Sequence, residues 1–224
     1  DLIFFRELTG GTYSGERGRK ANGNTAFDTC TYTRDEIKRL AKLGFEMAMG
    51  RSKKLCCVDK ANVLESSRLW RETVQDMEKD FPEVEVSYEF VDAVAMRLVQ
   101  WPSSYDVIIT ENLFGDILTD EASVISGSMG LMPSASIGIH TSLFEPIHGS
   151  YPQAAGKDIA NPLATVLSAA MMFEDAFGLK EEATVIRTVV NKSLTEGIVT
   201  EDIAGKSGKA YKTSEVGSWL AANI

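Results

Sequence analysis

The chain has 224 residues, 44% of them hydrophobic and 25% charged, a composition typical of a globular protein with one large or two modest domains. Its formal net charge of -9, without any Lys/Arg-rich run, argues against nucleic acid as a partner. No apolar run is long enough to cross a bilayer, so no membrane partner is expected. Cys30, Cys56 and Cys57 lack the spacing of metal ligands and indicate reduced thiols in a cytoplasmic protein.

The first elements are predicted from an apolar run and a helix cap. The chain opens without methionine on DLIFFREL, which has the pattern of a buried strand, and a buried strand is an unusual place for a natural N-terminus. We therefore expect a fragment of a longer chain. Thr33 and Glu36 then have the T-x-x-E spacing of a capping box, which predicts a helix over 34–50.

Strand-like and helix-like segments alternate further along the chain. KLCCVD and YDVIIT are apolar and predict buried strands, EVEVSYEF alternates strictly and predicts a half-buried strand, and AVAMRLVQW has a helical pattern. A further helical stripe around Trp70 ends before Pro82. This alternation predicts an α/β protein with open sheets flanked by helices.

Past about residue 126 the composition becomes rich in Gly, Ser and Pro. The segments SGSMGLMPSASIG and FEPIHGSYPQAAGKDIANP predict a long irregular stretch of the kind that usually carries function. Asn161 and Pro162 then suit the N-cap and the first residue of a helix. Further helices fit residues 179–195 and 214–222.

The familiar phosphate-binding and nucleophile motifs are absent from the sequence. No G-x-G-x-x-G Rossmann motif occurs, and Gly205-Lys206-Ser207, which resembles the end of a Walker A loop, lacks the required earlier glycine. The chain has two histidines, His140 and His148, and no G-x-S-x-G elbow. These absences disfavour a Rossmann site, a P-loop, a Ser-His triad and a three-histidine zinc site.

A pair of aspartates in ENLFGDILTDEASV is the first candidate for a site. Asp116 and Asp120 are four residues apart, so on a helix their carboxylates point the same way, with Cβ atoms roughly 5–6 Å apart. At an effective dielectric near 20, their repulsion would reach roughly 3 kcal/mol. A solvated face tolerates such a pair, whereas a cleft would need a cation.

Four further side chains stand where a ligand could be bound. Lys60 and Asp92 follow predicted strands, at the sheet edge where α/β proteins bind ligands, although a snorkelling lysine and a helix N-cap are the simpler interpretations. Arg6 and Tyr13 flank ELTGG, whose two glycines permit a tight turn that directs both side chains to one ligand. Alone, this stretch fits any hairpin.

Together, these segments resemble the isocitrate and isopropylmalate dehydrogenase family. The resemblance covers nearly the whole chain, through RELTGGTYSGE, VDKANVLESSRLWR, VDAVAM, TENLFGDILTDEASVISGSMGLMPSASIG and FEPIHGSYPQAAGKDIANP in that order. RELTGG is similar to the isopropylmalate branch, whereas isocitrate, homoisocitrate and tartrate enzymes typically carry RENTEG. The resemblance implies oxidative decarboxylation of 3-isopropylmalate to 2-oxoisocaproate with reduction of NAD, in leucine biosynthesis. Oxidation of tartrate, homoisocitrate or isocitrate is the alternative within the family.

The resemblance also implies a shared metal site. Asp116 and Asp120, together with Asp92 of the partner subunit, would bind Mg²⁺ or Mn²⁺, and carboxylate oxygens suit these hard cations. The metal would lower the pKa of the substrate's 2-hydroxyl group and stabilise the enolate that forms when CO₂ leaves. By the same resemblance, Lys60 of the partner subunit would help to remove the hydroxyl proton, and Tyr13 would protonate the enol.

The remaining implied contacts involve a substrate carboxylate and the nucleotide. Arg6 would hold the carboxylate as a bidentate fork. The segment matching Glu145, His148, Gly149 and Asn161 would lie along NAD, with the imidazole against the adenine. Many NAD-dependent relatives carry an aspartate for the ribose where this chain has Gln153. A neutral amide can still bond a ribose, and no Lys or Arg stands at 153 or 154 for a 2′-phosphate, so NAD is favoured over NADP.

Two expectations concern organisation. In the family, the polar, Gly-rich segment 12–32 forms an arm that clasps a second subunit, which implies a homodimer with shared active sites; the alternative is a mobile loop on a monomer. We expect residues 1–126 to be a dimerisation and substrate domain and 127–224 the C-terminal half of a nucleotide-binding domain. Because the family's N-terminal segment is missing, a non-catalytic dimerising fragment is a second hypothesis.

Overall fold

The structure, a computed structural model, describes residues 1–205 and 208–224, so part of the Walker-like Gly205-Lys206-Ser207 stretch lies outside the described residues. It divides into two compact units, Asp1–Ala122 and Ser123–Ile224. The elements of the first unit follow in chain order as β1 (Ile3–Arg6), β2 (Arg17–Lys20), β3 (Thr25–Asp28), α1 (Arg34–Met49), β4 (Lys54–Asp59), α2 (Glu65–Glu78), β5 (Glu85–Phe90), α3 (Val91–Gln100), β6 (Val107–Thr110) and α4 (Asn112–Ile125). The unit boundary falls inside α4.

A parallel sheet with strand order β1-β6-β4-β5 forms the centre of the first unit. Side chains alternate between its faces, as they must in strands. Leu55, Cys57 and Ile109 pack on one face with the buried sides of α1 and α2, whereas Cys56 and Ile108 pack on the other with α3 and α4. The result is a sheet between two helical layers, and the predicted α/β fold class is confirmed.

Local sequence signals account for the boundaries of these elements. The predicted capping box is present at α1, where Thr33 Oγ1 accepts from the Glu36 amide and the Glu36 carboxylate accepts from the Thr33 amide. The helix ends at Met49, one residue before the predicted end. At α3 the N-cap is Phe90 and Asp92 is the second helical residue, so the simpler interpretation of Asp92 as an N-cap was wrong.

The segment 12–32 contains an exposed hairpin. β2 pairs antiparallel with β3 in the register Arg17 to Asp28, and most of the residues between Tyr13 and Thr31 are exposed. Within the hairpin the Lys20 ammonium lies 4.8 Å from the centroid of the Phe27 ring. A two-stranded hairpin with so little burial is marginally stable on its own.

The second unit contains β7 (Pro133–Ser136), β8 (Leu143–Pro146), α5 (Leu163–Met171), α6 (Lys180–Glu196), α7 (Glu201–Ala204) and α8 (Thr213–Asn223). Its core includes Leu163 on α5, Val190 on α6 and Leu220 on α8. The stretch after residue 126 was expected to be irregular throughout, but β7 and β8 form an antiparallel pair there. PSAS and LFEP carry two prolines and little apolar alternation, so no strand pattern was visible.

Two smaller points complete the second unit. The N-cap of α5 is Pro162 rather than the predicted Asn161, although Asn161 Oδ1 accepts from the Leu163 amide at 3.0 Å and so still caps the first turn. The helices expected over 179–195 and 214–222 correspond to α6 and α8. In the part of the chain that the structure describes, no helix is both long and apolar enough to span a membrane.

Candidate active site

Arg6 and Asp116 meet at the carboxyl edge of the first unit's sheet. Arg6 is the last residue of β1 and pairs with Thr110, the last residue of β6, so the register brings Arg6 beside the start of α4. Its Nη1 lies 2.8 Å from Asp116 Oδ1. The Arg6 side chain is 24% exposed and that of Asp116 46%, so a ligand can reach both.

Tyr13 completes this group, which we call the Asp116 cluster: Arg6, Tyr13 and Asp116. The Tyr13 hydroxyl donates to Asp116 Oδ2 at 2.9 Å, and the Arg6 guanidinium carbon lies 5.7 Å from the Tyr13 ring centroid. The hydrogen bond to Asp116 is the main reason that the pKa of Tyr13 lies above its ordinary value. Each oxygen of the Asp116 carboxylate therefore has a protein partner.

The ELTGG turn folds around the buried ring of Tyr32. A Cβ atom at Gly10 would lie 2.6 Å from that ring, and Gly11 adopts a φ of +75°, so glycine is required at both positions. Burial alone would raise the pKa of Glu7, but hydrogen bonds from Thr9 and Arg39 outweigh it and hold that pKa below its ordinary value. These contacts bring the chain back from β1 so that Tyr13 reaches Asp116.

Lys60 and Asp92 form a separate pair further along the same sheet edge. β4 pairs with β5 so that Asp59 lies opposite Phe90, which places the residues that follow the two strands side by side. The Lys60 ammonium bonds Asp92 Oδ1, and this bond lowers the pKa of Asp92 below its ordinary value. Buried Ser67 accepts from the Lys60 amide at 3.0 Å and fixes the loop.

The predicted metal ligands do not converge within one chain. Asp116 and Asp120 lie one turn apart on α4, as expected from their spacing. Among the described residues, however, no three Asp, Glu, His or Cys side chains lie close enough to hold a metal ion together. Asp92 is therefore not grouped with the two aspartates of α4 in the same copy.

The predicted nucleotide residues all lie in the second unit. Glu145 is on β8 opposite Ser134, His148 follows that strand with Nδ1 3.0 Å from the Gly149 carbonyl oxygen, and Gln153 is exposed in the turn Pro152–Ala154. They lie along one continuous segment of the described chain, and their side chains do not bond one another. What they offer is an exposed run of polar groups.

Asn161 is more firmly held than the other predicted nucleotide residues. Its Nδ2 donates to Asp202 Oδ2 at 3.0 Å while its Oδ1 accepts from the Leu163 amide, so both ends of the amide are engaged. Gly130 packs so closely that a Cβ there would lie 2.6 Å from the Asn161 Cβ. Asp202, at the start of α7, had no sequence signal that pointed to this role.

Comparison with known proteins shows the family. The model of the isocitrate/isopropylmalate dehydrogenase family matches residues 1–220, and the chain belongs to this family. It is similar to the 3-isopropylmalate dehydrogenases of Bacteroides fragilis, at 55% identity over 224 residues, and Desulfitobacterium hafniense, at 52%. The alignments cover 100% of this chain but 63% and 64% of those proteins, so the chain spans less than two thirds of their length.

Solved structures of the family share the fold. Isocitrate dehydrogenase from Methylococcus capsulatus superposes with a TM-score of 0.93 at 34% identity, covering 99% of this chain and 66% of that one. A beta-decarboxylating dehydrogenase from Thermococcus kodakarensis, in its apo form, gives a TM-score of 0.84 at 37% identity, covering 97% and 63%. The resemblance identified from the motifs is therefore confirmed at the level of family and fold.

Proposed function

We propose that the chain takes part in the oxidative decarboxylation of 3-isopropylmalate to 2-oxoisocaproate with reduction of NAD, a step of leucine biosynthesis. The names of relatives that are 52% to 55% identical over the whole chain support this substrate. The RELTGG stretch around Arg6, rather than RENTEG, points the same way. Isocitrate, homoisocitrate and tartrate are the competing substrates.

The Asp116 cluster is the observation that carries the proposal. A cation, a phenol and a carboxylate with 24% to 47% exposure meet at the sheet edge where α/β proteins bind ligands, and both Arg6 and Tyr13 contact the Asp116 carboxylate within 2.9 Å. A guanidinium suits a carboxylate of the substrate, and a nearby phenol suits proton transfer to the substrate.

The donor set fits a divalent cation. Asp116 and Asp120 present hard oxygen atoms from one helical face, and with Asp92 of the partner subunit they would hold Mg²⁺ or Mn²⁺. Such a cation would polarise the substrate's 2-hydroxyl group, and NAD would accept hydride from the carbon that bears it.

The protein side chains would handle binding and proton transfer. Arg6 would bind the substrate carboxylate with two parallel hydrogen bonds, which would orient the substrate relative to Tyr13. Lys60 of the partner subunit would take part in removing the 2-hydroxyl proton as the alcohol is oxidised. After the C3 carboxylate leaves as CO₂, its bonding electrons remain on the carbon skeleton as an enolate, and Tyr13 would supply the proton to C3.

The proposal includes a homodimer with shared sites. Lys60 and Asp92 bond each other rather than the Asp116 cluster, which suggests that they serve the site of a second copy. The outer sides of α3 and α4 also carry apolar side chains between 36% and 68% exposed, namely Met96, Val99, Leu113 and Ile117. An apolar surface of this kind marks an interaction site, and a two-fold interface would cover it in both copies.

For the nucleotide, we propose NAD rather than NADP. Gln153 is exposed and neutral, and its amide can bond ribose hydroxyls, whereas neither 153 nor 154 offers a cation for a 2′-phosphate. Glu145, His148, Gly149 and the backbone near Asn161 would line the rest of the nucleotide. Cys30, Cys56 and Cys57 are free thiols, which fits a cytoplasmic protein, and we also propose this location.

A substrate panel tests the activity. The natural polypeptide that carries this sequence is assayed with Mg²⁺, NAD and each of 3-isopropylmalate, isocitrate, homoisocitrate and tartrate, following NADH and CO₂ together. We expect turnover with 3-isopropylmalate and equal amounts of NADH and CO₂. Faster turnover of another acid, or none with any of them, would contradict the proposal.

Light scattering tests the dimer. Deleting residues 14–28, which removes most of the exposed hairpin, should lower the dimer fraction. Val99→Glu, which places a charge on the apolar surface of α3, should do the same. Val185→Glu, at an exposed valine on α6, is the control and should leave the dimer intact. A wild-type chain that is monomeric at micromolar concentration would rule out the shared site.

A further inference from the structure

We propose that Asn112 is a positioning residue that fixes which edge of the Arg6 guanidinium is presented to a substrate carboxylate. The proposal rests on the proposed function for the identity of that carboxylate. Arg6 Nε donates to the backbone oxygen of Asn112 at 3.0 Å and to its Oδ1 at 3.2 Å, and Arg6 Nη2 donates to the same Oδ1 at 2.8 Å. Asn112 itself is only 2% exposed.

These bonds leave one edge of the guanidinium for a ligand. A guanidinium has five N–H donors in a rigid plane, and a carboxylate is held best by two parallel donors on one edge. Asn112 occupies the Nε/Nη2 edge. The outer edge is formed by Nη1 and the second hydrogen of Nη2, and Nη1 already lies 2.8 Å from Asp116 Oδ1, so a substrate carboxylate at this edge would share Nη1 with Asp116. Without Asn112 the guanidinium could rotate and offer the other edge.

The Asn112 amide is held from the opposite side as well. Its Nδ2 donates to the Gly10 carbonyl at 3.3 Å, and its backbone amide donates to the Tyr32 hydroxyl at 3.0 Å. Tyr32 in turn donates to Glu111 Oε2 at 2.7 Å, and both of these side chains are buried. Asn112 therefore links the ELTGG turn, the buried Tyr32–Glu111 pair and Arg6.

The chemistry of the position requires an amide. Oδ1 must accept from Arg6 while Nδ2 donates to Gly10, and an asparagine side chain can do both. An aspartate would keep the acceptor for Arg6, but it would set an oxygen against the Gly10 carbonyl and add a negative charge beside the guanidinium. That charge would compete with a substrate carboxylate for Arg6.

The stem of Arg6 is confined by a second contact. A Cβ atom at Gly115 would lie 2.6 Å from Arg6 Cγ and 2.9 Å from Thr110 Cγ2, so the first turn of α4 packs directly on the aliphatic part of the arginine. Gly115 confines the aliphatic part of the Arg6 side chain, and Asn112 binds its guanidinium. The side chain therefore has little conformational freedom, and a ligand would meet the outer edge of the guanidinium.

A double-mutant cycle in the natural polypeptide tests the proposal. Asn112→Ala should raise KM for 3-isopropylmalate about 10- to 100-fold and leave KM for NAD unchanged. Because Asn112 acts through Arg6, the double variant Arg6→Ala/Asn112→Ala should be no worse than Arg6→Ala alone. Tyr32→Phe keeps the Asn112 side chain and should have a smaller effect. Additive losses, or an equal effect of Tyr32→Phe, would overturn the proposal.

A structural readout separates this proposal from the proposed function. In ¹⁵N-labelled wild-type protein, the Arg6 Nε–H signal should be resolved and slow to exchange, and Asn112→Ala should abolish that protection. If no 2-hydroxy acid is oxidised but this change occurs, the proposed function fails and the link between Asn112 and Arg6 stands. If 3-isopropylmalate is oxidised and neither the signal nor KM changes in the variant, the link fails alone.

Discussion

The carboxylate of Asp116 and the guanidinium of Arg6 lie 2.8 Å apart. Arg6 ends β1, whereas Asp116 belongs to α4, the helix that follows β6, the last strand of the same sheet. Parallel pairing of β1 with β6 produces this contact, because it places the ends of both strands at one edge. The side chains are 24% and 46% exposed, so the ion pair contributes little to stability, and we propose that it positions a cation and an anion for a ligand.

Asp116→Asn should weaken Mn²⁺ binding about 10- to 100-fold, because one charged oxygen ligand is replaced by a neutral amide. Titration calorimetry of the protein with Mn²⁺ measures the change. Glu121→Gln, which removes a half-buried carboxylate from the same helix, is the control and should leave the affinity unchanged. Full activity of Asp116→Asn at limiting Mn²⁺ would rule out this residue as a ligand.

Lys60→Met and Tyr13→Phe should impair different chemical steps, each by about 10²- to 10⁴-fold, because each removes one proton-transfer group. Lys60→Met should slow the oxidation, so the isotope effect of substrate deuterated at C2 should increase. Tyr13→Phe should slow protonation after CO₂ loss, so the solvent isotope effect should increase instead. Normal rates with wild-type isotope effects in both variants would contradict the assignment.

The sequence predicted most of the first unit because its signals there are local and mutually consistent. Apolar runs, the Thr33 capping box and strict alternation before Phe90 identified the strands and helices of the central layer. The predicted ends of the strands also indicated where the polar candidate residues lie, because parallel strands bring their carboxyl ends to one edge of the sheet. The β7–β8 pair was missed because its residues lack that periodicity.

Contacts that depend on register were beyond reach of the sequence. The roles of Asn112, Tyr32 and Glu111 follow from bonds between distant segments, and the orientation of an amide leaves no periodic pattern. Asp202, which holds Asn161, was missed for the same reason. The family resemblance supplied residue roles that no spacing argument could give.

Gly115→Ala should destabilise the protein by about 1–3 kcal/mol and weaken substrate binding, because the added methyl group would overlap Arg6 Cγ and Thr110 Cγ2. Gly217→Ala is the matched control, since nothing lies within 4 Å of a Cβ at this position in α8. That substitution should stabilise the protein by about 0.5–1 kcal/mol. Urea unfolding measures both, and an equal effect of the two substitutions would refute the close packing.

Acid should destabilise the first unit partly through Asp106. Burial alone would raise the pKa of this carboxyl, but bonds from Ser52 and from Arg51 Nε, the latter at 2.5 Å, outweigh it and hold the pKa below its ordinary value. The unfolded state therefore binds the proton more readily. The contribution of Asp106 to the free energy of unfolding is complete above about pH 5 and is lost as the pH falls.

Urea unfolding between pH 3 and pH 7 checks this sign. In Asp106→Asn, the free energy of unfolding should fall less between pH 7 and pH 3 than it does in the wild type. Asp80→Asn, at an exposed position just after α2, is the control for loss of a charge and should behave like the wild type. Equal slopes in wild type and Asp106→Asn would show that the Arg51 and Ser52 bonds do not govern the acid response.

Mixing two inactive variants tests the shared active site most directly. If Asp116 of one copy works with Lys60 of the other, a hybrid dimer of Asp116→Asn and Lys60→Met carries one site with both changes and one intact site. After subunit exchange with 3-isopropylmalate, NAD and Mg²⁺, an equal mixture should regain about a quarter of wild-type activity, because half of the dimers are hybrids with one of two sites intact. No recovery despite proven exchange would contradict the shared site.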